Sequence, residues 1–125
     1  VDGTIAYAFG EAKAGGGTRQ GLGIGAPRGA LVRAVEAGQV EWAGSRDLLG
    51  QTVVVNHGGG YWSAYLYLQD LRVRRGDRVV KGQILGGVGG DEQSAEGTHV
   101  ELRIYEPAGN QSREVDPVRW LRSRS

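Results

Sequence analysis

Glycine residues occur at short intervals throughout this chain. The sequence holds 125 residues, of which 23 are glycine and only 3 are proline. The glycines follow no collagen-like period, and glycine adopts the positive φ angles of tight turns without steric cost. The distribution therefore indicates many tight turns that connect short strands.

The intervals between the glycines are typical of strands. Runs of β-branched, aromatic and other apolar residues predict strands at 4–9, 31–35, 39–43, 51–57, 61–68, 83–88 and 99–105. Three glycines at 58–60 predict a hairpin, and 86–97 is expected to form a glycine- and acid-rich loop. Asp116 as N-cap, followed by Pro117, predicts one short helix. The predicted class is all-β, mostly antiparallel, with one short C-terminal helix.

Length and composition suit one modest domain that spans 1–125. Hydrophobic residues make up 39% of the chain, and the formal net charge of +1 gives no reason to expect a nucleic-acid partner or membrane lipid. The absence of cysteine excludes disulfides, thiolate zinc sites and cysteine catalysis. No apolar run is long enough to cross a bilayer. Because the chain begins at Val1 without methionine, we expect a domain excised from a longer protein.

Two of the predicted strands alternate in polarity. In each strand we expect the apolar set to face the core and the other set to line solvent or a groove. In 61–68 the second set is Tyr61, Ser63, Tyr65 and Tyr67, and in 99–105 it is His99, Glu101, Arg103 and Tyr105.

Most of the chain resembles one known family. The segments 18–29, 29–40, 51–67, 73–89, 97–103 and 115–117 are similar, in the right order, to segments of the LytM/lysostaphin-type peptidoglycan endopeptidases. The resemblance implies a compact, mostly antiparallel β-fold with a groove.

The resemblance also implies a zinc site, and there the sequence departs from the family. A zinc hydrolase needs about three protein ligands and an open fourth position for water. The three ligand positions correspond to Arg19, Gly23 and His99, and the two catalytic histidines correspond to Gly97 and Tyr67. Glycine offers no side-chain ligand, and a guanidinium stays protonated and repels a cation. We therefore expect no metal, no cofactor, no catalytic residue and no enzymatic activity.

Without a metal, the groove is a candidate site for a protein partner. Aromatic and arginine side chains are common interface anchors. The expected groove residues are Arg19, Tyr65, Tyr67, His99, Glu101 and Arg103.

In the loss of these ligands the chain is similar to the EnvC/NlpD-type activators. They lack zinc ligands and share the closing Pro-x-x-Trp-Leu found here at 117–121. That resemblance implies a domain of the periplasm or extracytoplasmic envelope. It would bind and activate a cell-wall N-acetylmuramoyl-L-alanine amidase, so that septal peptidoglycan is cut during cell division.

Other functions stay open at this point. A non-catalytic scaffold or a peptidoglycan-binding module of an envelope complex would suit the same groove. An active zinc endopeptidase would need ligands that the pattern does not supply. The segment 73–88 also resembles biotinyl and lipoyl carrier domains, but those need a lysine at an exposed hairpin tip, and Lys81 stands elsewhere in the pattern.

Overall fold

The computed structural model describes residues 3–13, 15–90, 94 and 96–123. Its strands are β1 (Thr4–Tyr7), β2 (Leu22–Gly25), β3 (Leu31–Arg33), β4 (Gly38–Ser45), β5 (Gln51–Gly58), β6 (Tyr61–Gln69), β7 (Arg78–Val79), β8 (Ile84–Gly90), β9 (Thr98–Ala108) and β10 (Gln111–Val115). A short 3₁₀ helix at Asp47–Leu49 joins β4 to β5, and one α-helix, α1 (Pro117–Ser123), follows β10. The predicted fold class is confirmed.

The strands form one antiparallel sheet with β9 near its centre. The order along the sheet is β1-β2-β9-β8-β6-β5-β4-β7, with β10 paired to β9 and β3 paired to β8. β9 is the longest strand, and it also pairs with β6. Side chains of β9 therefore lie within reach of β2, β6, β8 and β10, which makes this strand the natural carrier of a site.

The hydrophobic core lies against one face of this sheet. Its fully or almost fully buried members include Val40, Val53, Val55, Tyr65, Leu68, Leu85, Val88, Val100, Leu102 and Ile104, and Trp120 of α1 packs against them. Burial of such side chains is the main favourable term in folding, at roughly 25 cal/mol per Å² of apolar surface. In β9, the apolar residues predicted to face the core do so.

The predicted turns and the helix start are also present. Gly59 and Gly60, between β5 and β6, have φ angles of +63° and +86°, which side-chain-bearing residues rarely adopt. The Val118 amide donates a hydrogen bond of 3.0 Å to Asp116 Oδ1, as expected of an N-cap carboxylate.

The expected glycine-rich loop at 86–97 is wrong in its first part. Strand β8 continues to Gly90, because its glycines let neighbouring backbone approach closely. A Cβ on Gly89 would lie 2.7 Å from the Tyr67 carbonyl oxygen. The acidic part of that segment, 91–93, and residue 95 lie outside the described residues.

Among the described residues, no helix has the length and apolar character needed to span a membrane.

Candidate functional site

The strand pairing separates the groove face of the sheet from the core face. In an antiparallel pair, residues directly opposite each other project to the same side. Ser63 pairs with Ile104 and Tyr65 with Leu102, and this set faces the core. The alternate set of pairs lies on the opposite face, which we call the groove face: Leu66 with Glu101, Ala64 with Arg103 and Trp62 with Tyr105.

Tyr65 therefore does not join the other predicted groove residues. It is only 2% exposed and belongs to the core cluster. Its hydroxyl accepts hydrogen bonds from the Val35 amide at 3.0 Å and from the Ser63 hydroxyl at 2.8 Å. The expectation that Tyr65 shares a face with Tyr67 is wrong, because a backbone irregularity lies between them, and the Tyr65 hydroxyl finds polar partners inside the core. The expectation that the apolar set of this strand faces the core is also wrong for Trp62, Ala64 and Leu66, which the pairing with β9 places on the groove face.

Tyr67 reaches the groove face through an irregularity in β6. The pairing of β5 with β6 shifts by one residue between Val53–Tyr65 and Gln51–Leu68, which is the mark of a β-bulge. Tyr67 lies in that stretch with φ of +65°, in the left-handed region. Its ring lies 4.9 Å from the imidazole of His99. The bulge thus redirects one side chain while Leu68 stays in the core.

Strand β2 presents a face without side chains to the same region. Leu22 and Ile24 pair with Leu102 and Val100 on the core side, whereas Gly23 pairs with Glu101 and Gly25 with His99 on the groove side. This bare face makes room for large side chains that come from the strands on either side.

Tyr7 of β1 occupies that room. It pairs with Gly23, so that Tyr7, Gly23 and Glu101 form one row across β1, β2 and β9. A Cβ on Gly23 would lie 2.4 to 2.6 Å from three carbons of the Tyr7 ring. No real Cβ contact is that short, so the ring fills the space that a side chain at position 23 would need.

The Tyr7 hydroxyl connects two residues of β9. It donates a hydrogen bond of 2.6 Å to Glu101 Oε1 and lies 3.0 Å from His99 Nε2. His99 Nδ1 lies 2.9 Å from the carbonyl oxygen of Gly97. Because a carbonyl only accepts, Nδ1 carries the proton. Both ring nitrogens of this buried histidine lie against protein atoms, although the single proton of the Tyr7 hydroxyl goes to Glu101 and not to Nε2.

Glu101 is a buried charge with a built-in counterion. Its side chain is 5% exposed, and the Arg103 Nε donates to Glu101 Oε2 at 2.5 Å. Burial lowers the pKa of Arg103, but the hydrogen bond to Glu101 and its charge outweigh this and raise it above the ordinary value. Burial, the hydrogen bond to Glu101 and the charge of Glu101 raise the pKa of Tyr7, so its phenol stays protonated.

Tyr7, His99, Glu101 and Arg103 form a cluster, and Arg19 covers it from the solvent side. Its guanidinium carbon lies 4.0 Å from the centre of the Tyr7 ring, in cation–π geometry, and its Nη2 lies 3.3 Å from Glu96 Oε1. Both side chains of that ion pair are roughly a quarter exposed. Glu96 thus engages one nitrogen of a guanidinium that remains partly open to solvent.

The residues at this position do not fit a metal ion. Within 3–13, 15–90, 94 and 96–123, no group of three or more His, Cys, Asp or Glu side chains is placed to hold one. Structural and catalytic zinc sites use three or four such ligands. Here the Tyr7 hydroxyl lies 3.0 Å from His99 Nε2, and the cationic guanidinium of Arg19 lies over the Tyr7 ring.

Next to the cluster, the groove face opens into a groove of about 330 Å³. Arg103 belongs to both. The groove is lined by Arg46, Leu49, Thr52, Val54, Trp62, Ala64, Leu66, Arg103, Tyr105 and Ser112. Its lining combines apolar, aromatic and arginine side chains, and aromatic residues and arginine are enriched in protein interfaces.

Of the six predicted groove residues, five lie together: Arg19, Tyr67, His99, Glu101 and Arg103. Of these five, Arg103 is the one that also lines the groove. The sequence analysis missed Tyr7, the residue that connects them. The pattern Gly-x-Gly-x-Gly at 21–25 was the available signal, because a bare strand face in a packed protein must be filled from a neighbouring strand.

A family model agrees with the resemblance seen in the sequence. The model for peptidase family M23 matches residues 17–117.

Curated relatives cover almost all of the chain. The murein hydrolase activator EnvC of Escherichia coli strain K12 is 34% identical over 121 residues, which cover 97% of this chain and 28% of that protein. The cell division protein DipM of Caulobacter vibrioides is 32% identical over 118 residues, which cover 93% of this chain and 19% of that protein. The chain thus spans less than a third of the length of either relative.

The fold is also found in solved structures. The catalytic domain of the antimicrobial peptidase lysostaphin from Staphylococcus simulans superposes with a TM-score of 0.83 at 25% sequence identity, over 95% of this chain and 92% of that one.

Proposed function

Because this chain belongs to peptidase family M23 and has arginine and glycine at two positions that correspond to zinc ligands, we propose that it is a non-catalytic domain that binds and activates a cell-wall N-acetylmuramoyl-L-alanine amidase. Activation promotes septal peptidoglycan hydrolysis in cell division. The site of action is the periplasm or extracytoplasmic envelope.

Two neighbouring features carry this proposal. Protein side chains fill the position that corresponds to the metal, and an open groove lies beside it. A zinc hydrolase needs an open coordination position at the metal, whereas here Tyr7 lies against His99 and Arg19 lies over the Tyr7 ring. The groove beside them keeps a volume of about 330 Å³. A surface that has no open metal position but has a groove is suited to binding.

The relatives support the partner class. One is named a murein hydrolase activator and another a cell division protein. By likeness to them, the partner of this chain is a murein hydrolase, and among hydrolases we propose the amidase. Activation is conformational: the domain binds the open state of the amidase more tightly than the closed state and shifts the population.

For the residues around His99 and the groove beside them we propose distinct roles. Arg19, Tyr67 and Arg103 are partly exposed and contact the partner, whereas the buried His99 and Glu101 hold them in place. Arg46 also lines the groove and contributes to the contact; its guanidinium carbon lies 5.3 Å from the centre of the Trp42 indole.

Dye release from purified sacculi tests the proposal. The domain alone, a cognate amidase alone and the mixture are compared. We expect release above the level of the amidase only in the mixture. Release by the domain alone would make it an enzyme, and a mixture no better than the amidase alone would favour a scaffold or a peptidoglycan-binding module.

A matched pair of surface variants locates the contact. Arg46→Glu reverses a charge on the groove rim, and Arg78→Glu makes the same change on the exposed side of β7. We expect Arg46→Glu to lose most of the activation and Arg78→Glu to keep it. Equal behaviour of the two variants would place the partner outside the groove.

A further inference from the structure

The geometry points to a role for Tyr7 that no comparison assigns: its side chain takes the place of the metal, and it alone would keep zinc out even if the missing ligands were restored. We propose that Tyr7 is the positioning residue of this cluster. The inference concerns the interior of the cluster and does not depend on which partner the groove binds.

The first step is steric. Tyr7 is only 3% exposed, and its ring lies within 2.4 Å of the place where a Cβ at position 23 would stand. Any ligand side chain introduced at Gly23 must therefore displace the ring. Packed interiors have few voids into which a ring could move.

The second step is the hydrogen bonding of the hydroxyl. If the ring left, the carboxylate of Glu101 would lose the hydroxyl donor at 2.6 Å and keep Arg103 alone. Leaving a buried charged acceptor short of a donor costs more than the mean value of a hydrogen bond. The hydrogen bond to Glu101 therefore holds the Tyr7 side chain in this position.

The third step concerns His99. Its Nε2 faces the Tyr7 hydroxyl at 3.0 Å and its Nδ1 faces the Gly97 carbonyl at 2.9 Å. A metal ligand needs a free nitrogen lone pair. The Tyr7 oxygen therefore occupies the approach to Nε2, which is the nitrogen that a metal would use, whereas the Nδ1 contact with a carbonyl is one that zinc-bound histidines also make.

The fourth step is what Tyr7 provides instead. A structural metal cross-links the chain segments that ligate it. Tyr7 does this with one side chain: the ring lies under Arg19, edge-on to His99 at 5.5 Å between ring centres, and the hydroxyl bonds to Glu101. It thereby connects β1 to β9 and fixes the residues at the end of the groove.

Zinc binding to restored-ligand variants tests this inference. The variant Arg19→His/Gly23→Asp supplies the two missing ligand types, and a second variant adds Tyr7→Ala. Each is stripped with chelator and titrated with ZnCl₂ by calorimetry, with circular dichroism to verify folding. We expect the variant with Tyr7→Ala to bind one zinc at least about 100-fold more tightly than the variant that keeps Tyr7.

A phenylalanine control separates the ring from the hydroxyl. Adding Tyr7→Phe instead of Tyr7→Ala keeps the ring in place, so zinc binding should stay as weak as with tyrosine. Zinc binding that is equally tight with and without Tyr7 would overturn the inference, as would a folded Tyr7→Ala variant with restored ligands that binds no zinc.

A stability cycle gives a second measurement that needs no metal. Gly23→Ala should lower the melting temperature strongly when Tyr7 is kept or replaced by phenylalanine, since both carry the ring. The same change should lower it much less in the Tyr7→Ala or Tyr7→Leu background, because the clash with the ring is gone. A Gly23→Ala effect that is independent of the side chain at position 7 would contradict the steric step.

Discussion

Tyr65 and Tyr67 lie two residues apart on one strand and yet on opposite faces of the sheet. Tyr65 is buried in the core, and Tyr67 contacts His99 on the groove face at 4.9 Å between ring centres. The left-handed φ of +65° at Tyr67 and the bulge around it produce this reversal. The composition of the groove therefore depends on a local backbone irregularity.

The strained backbone at Tyr67 gives a first prediction. Tyr67→Gly and Tyr67→Ala both remove the contact with His99, but only glycine accepts the left-handed φ without a Cβ penalty. We expect Tyr67→Gly to be more stable than Tyr67→Ala by about 1 kcal/mol in urea denaturation.

Tyr61 is the matched control. It lies in the same strand, and among the described residues only Asp47, Tyr67 and Asp70 combine a side chain with positive φ. At position 61 the order should reverse, with alanine the more stable replacement. The same order at both positions would argue against strain at Tyr67.

The buried ion pair gives a second prediction. Arg103→Met leaves Glu101 as a buried carboxylate with the Tyr7 hydroxyl but without its cation, and we expect a loss of about 3 to 5 kcal/mol in the free energy of unfolding. Glu101→Gln/Arg103→Met removes both charges and should recover much of that loss. A double variant that is as unstable as Arg103→Met would show that packing, not charge, dominates.

The polar chain in the core gives a third prediction. His57 Nε2 lies 2.8 Å from Ser63 Oγ, Ser63 donates to the Tyr65 hydroxyl, and that hydroxyl also accepts from the Val35 amide. Tyr65→Phe leaves two donors without their acceptor, so we expect a loss of about 1 to 3 kcal/mol in chemical denaturation.

Ser63→Ala is the partner variant for Tyr65→Phe. Because the two residues share a hydrogen bond, the sum of the two single-variant effects should exceed the effect of the double variant. Additive effects would mean that the two hydroxyls act independently.

The loss of folding stability at high pH gives a fourth prediction. Burial raises the pKa of Tyr65 to about 12, while hydrogen bonds from Ser63 and the Val35 amide oppose the shift more weakly. The unfolded chain has a tyrosine pKa of about 10, so the folded state holds this proton more tightly. The stabilisation is therefore complete below a pH of about 10 and is lost as the pH rises from there through about 12.

Two pKa units correspond to about 3 kcal/mol. The free energy of unfolding should be measured at about pH 9 and at about pH 12 in both proteins. Its decrease between these two pH values should be smaller in Tyr65→Phe than in the unmodified chain, by roughly this amount. Burial also raises the pKa of Tyr7 and Tyr67, so both proteins lose some further stability in the same direction. Equal slopes in the two proteins would contradict the role of Tyr65.

Much of the fold followed from local patterns in the sequence. Glycine pairs such as Gly59–Gly60 mark turns because other residues avoid positive φ, and Val100, Leu102 and Ile104 mark a core face because strand side chains alternate. The missing ligands at Arg19 and Gly23 could also be predicted, because ligand chemistry depends on residue type alone.

The tertiary structure decided which side chains lie around His99. Nothing local to Tyr7 indicates that its ring lies over Gly23 and its hydroxyl on Glu101, since the row across β1, β2 and β9 depends on pairing between strands distant in sequence. The bulge that turns Tyr67 toward His99 is likewise a product of strand register. Residue types determined that positions 19 and 23 offer no metal-ligating side chain, whereas strand pairing determined which side chains surround His99.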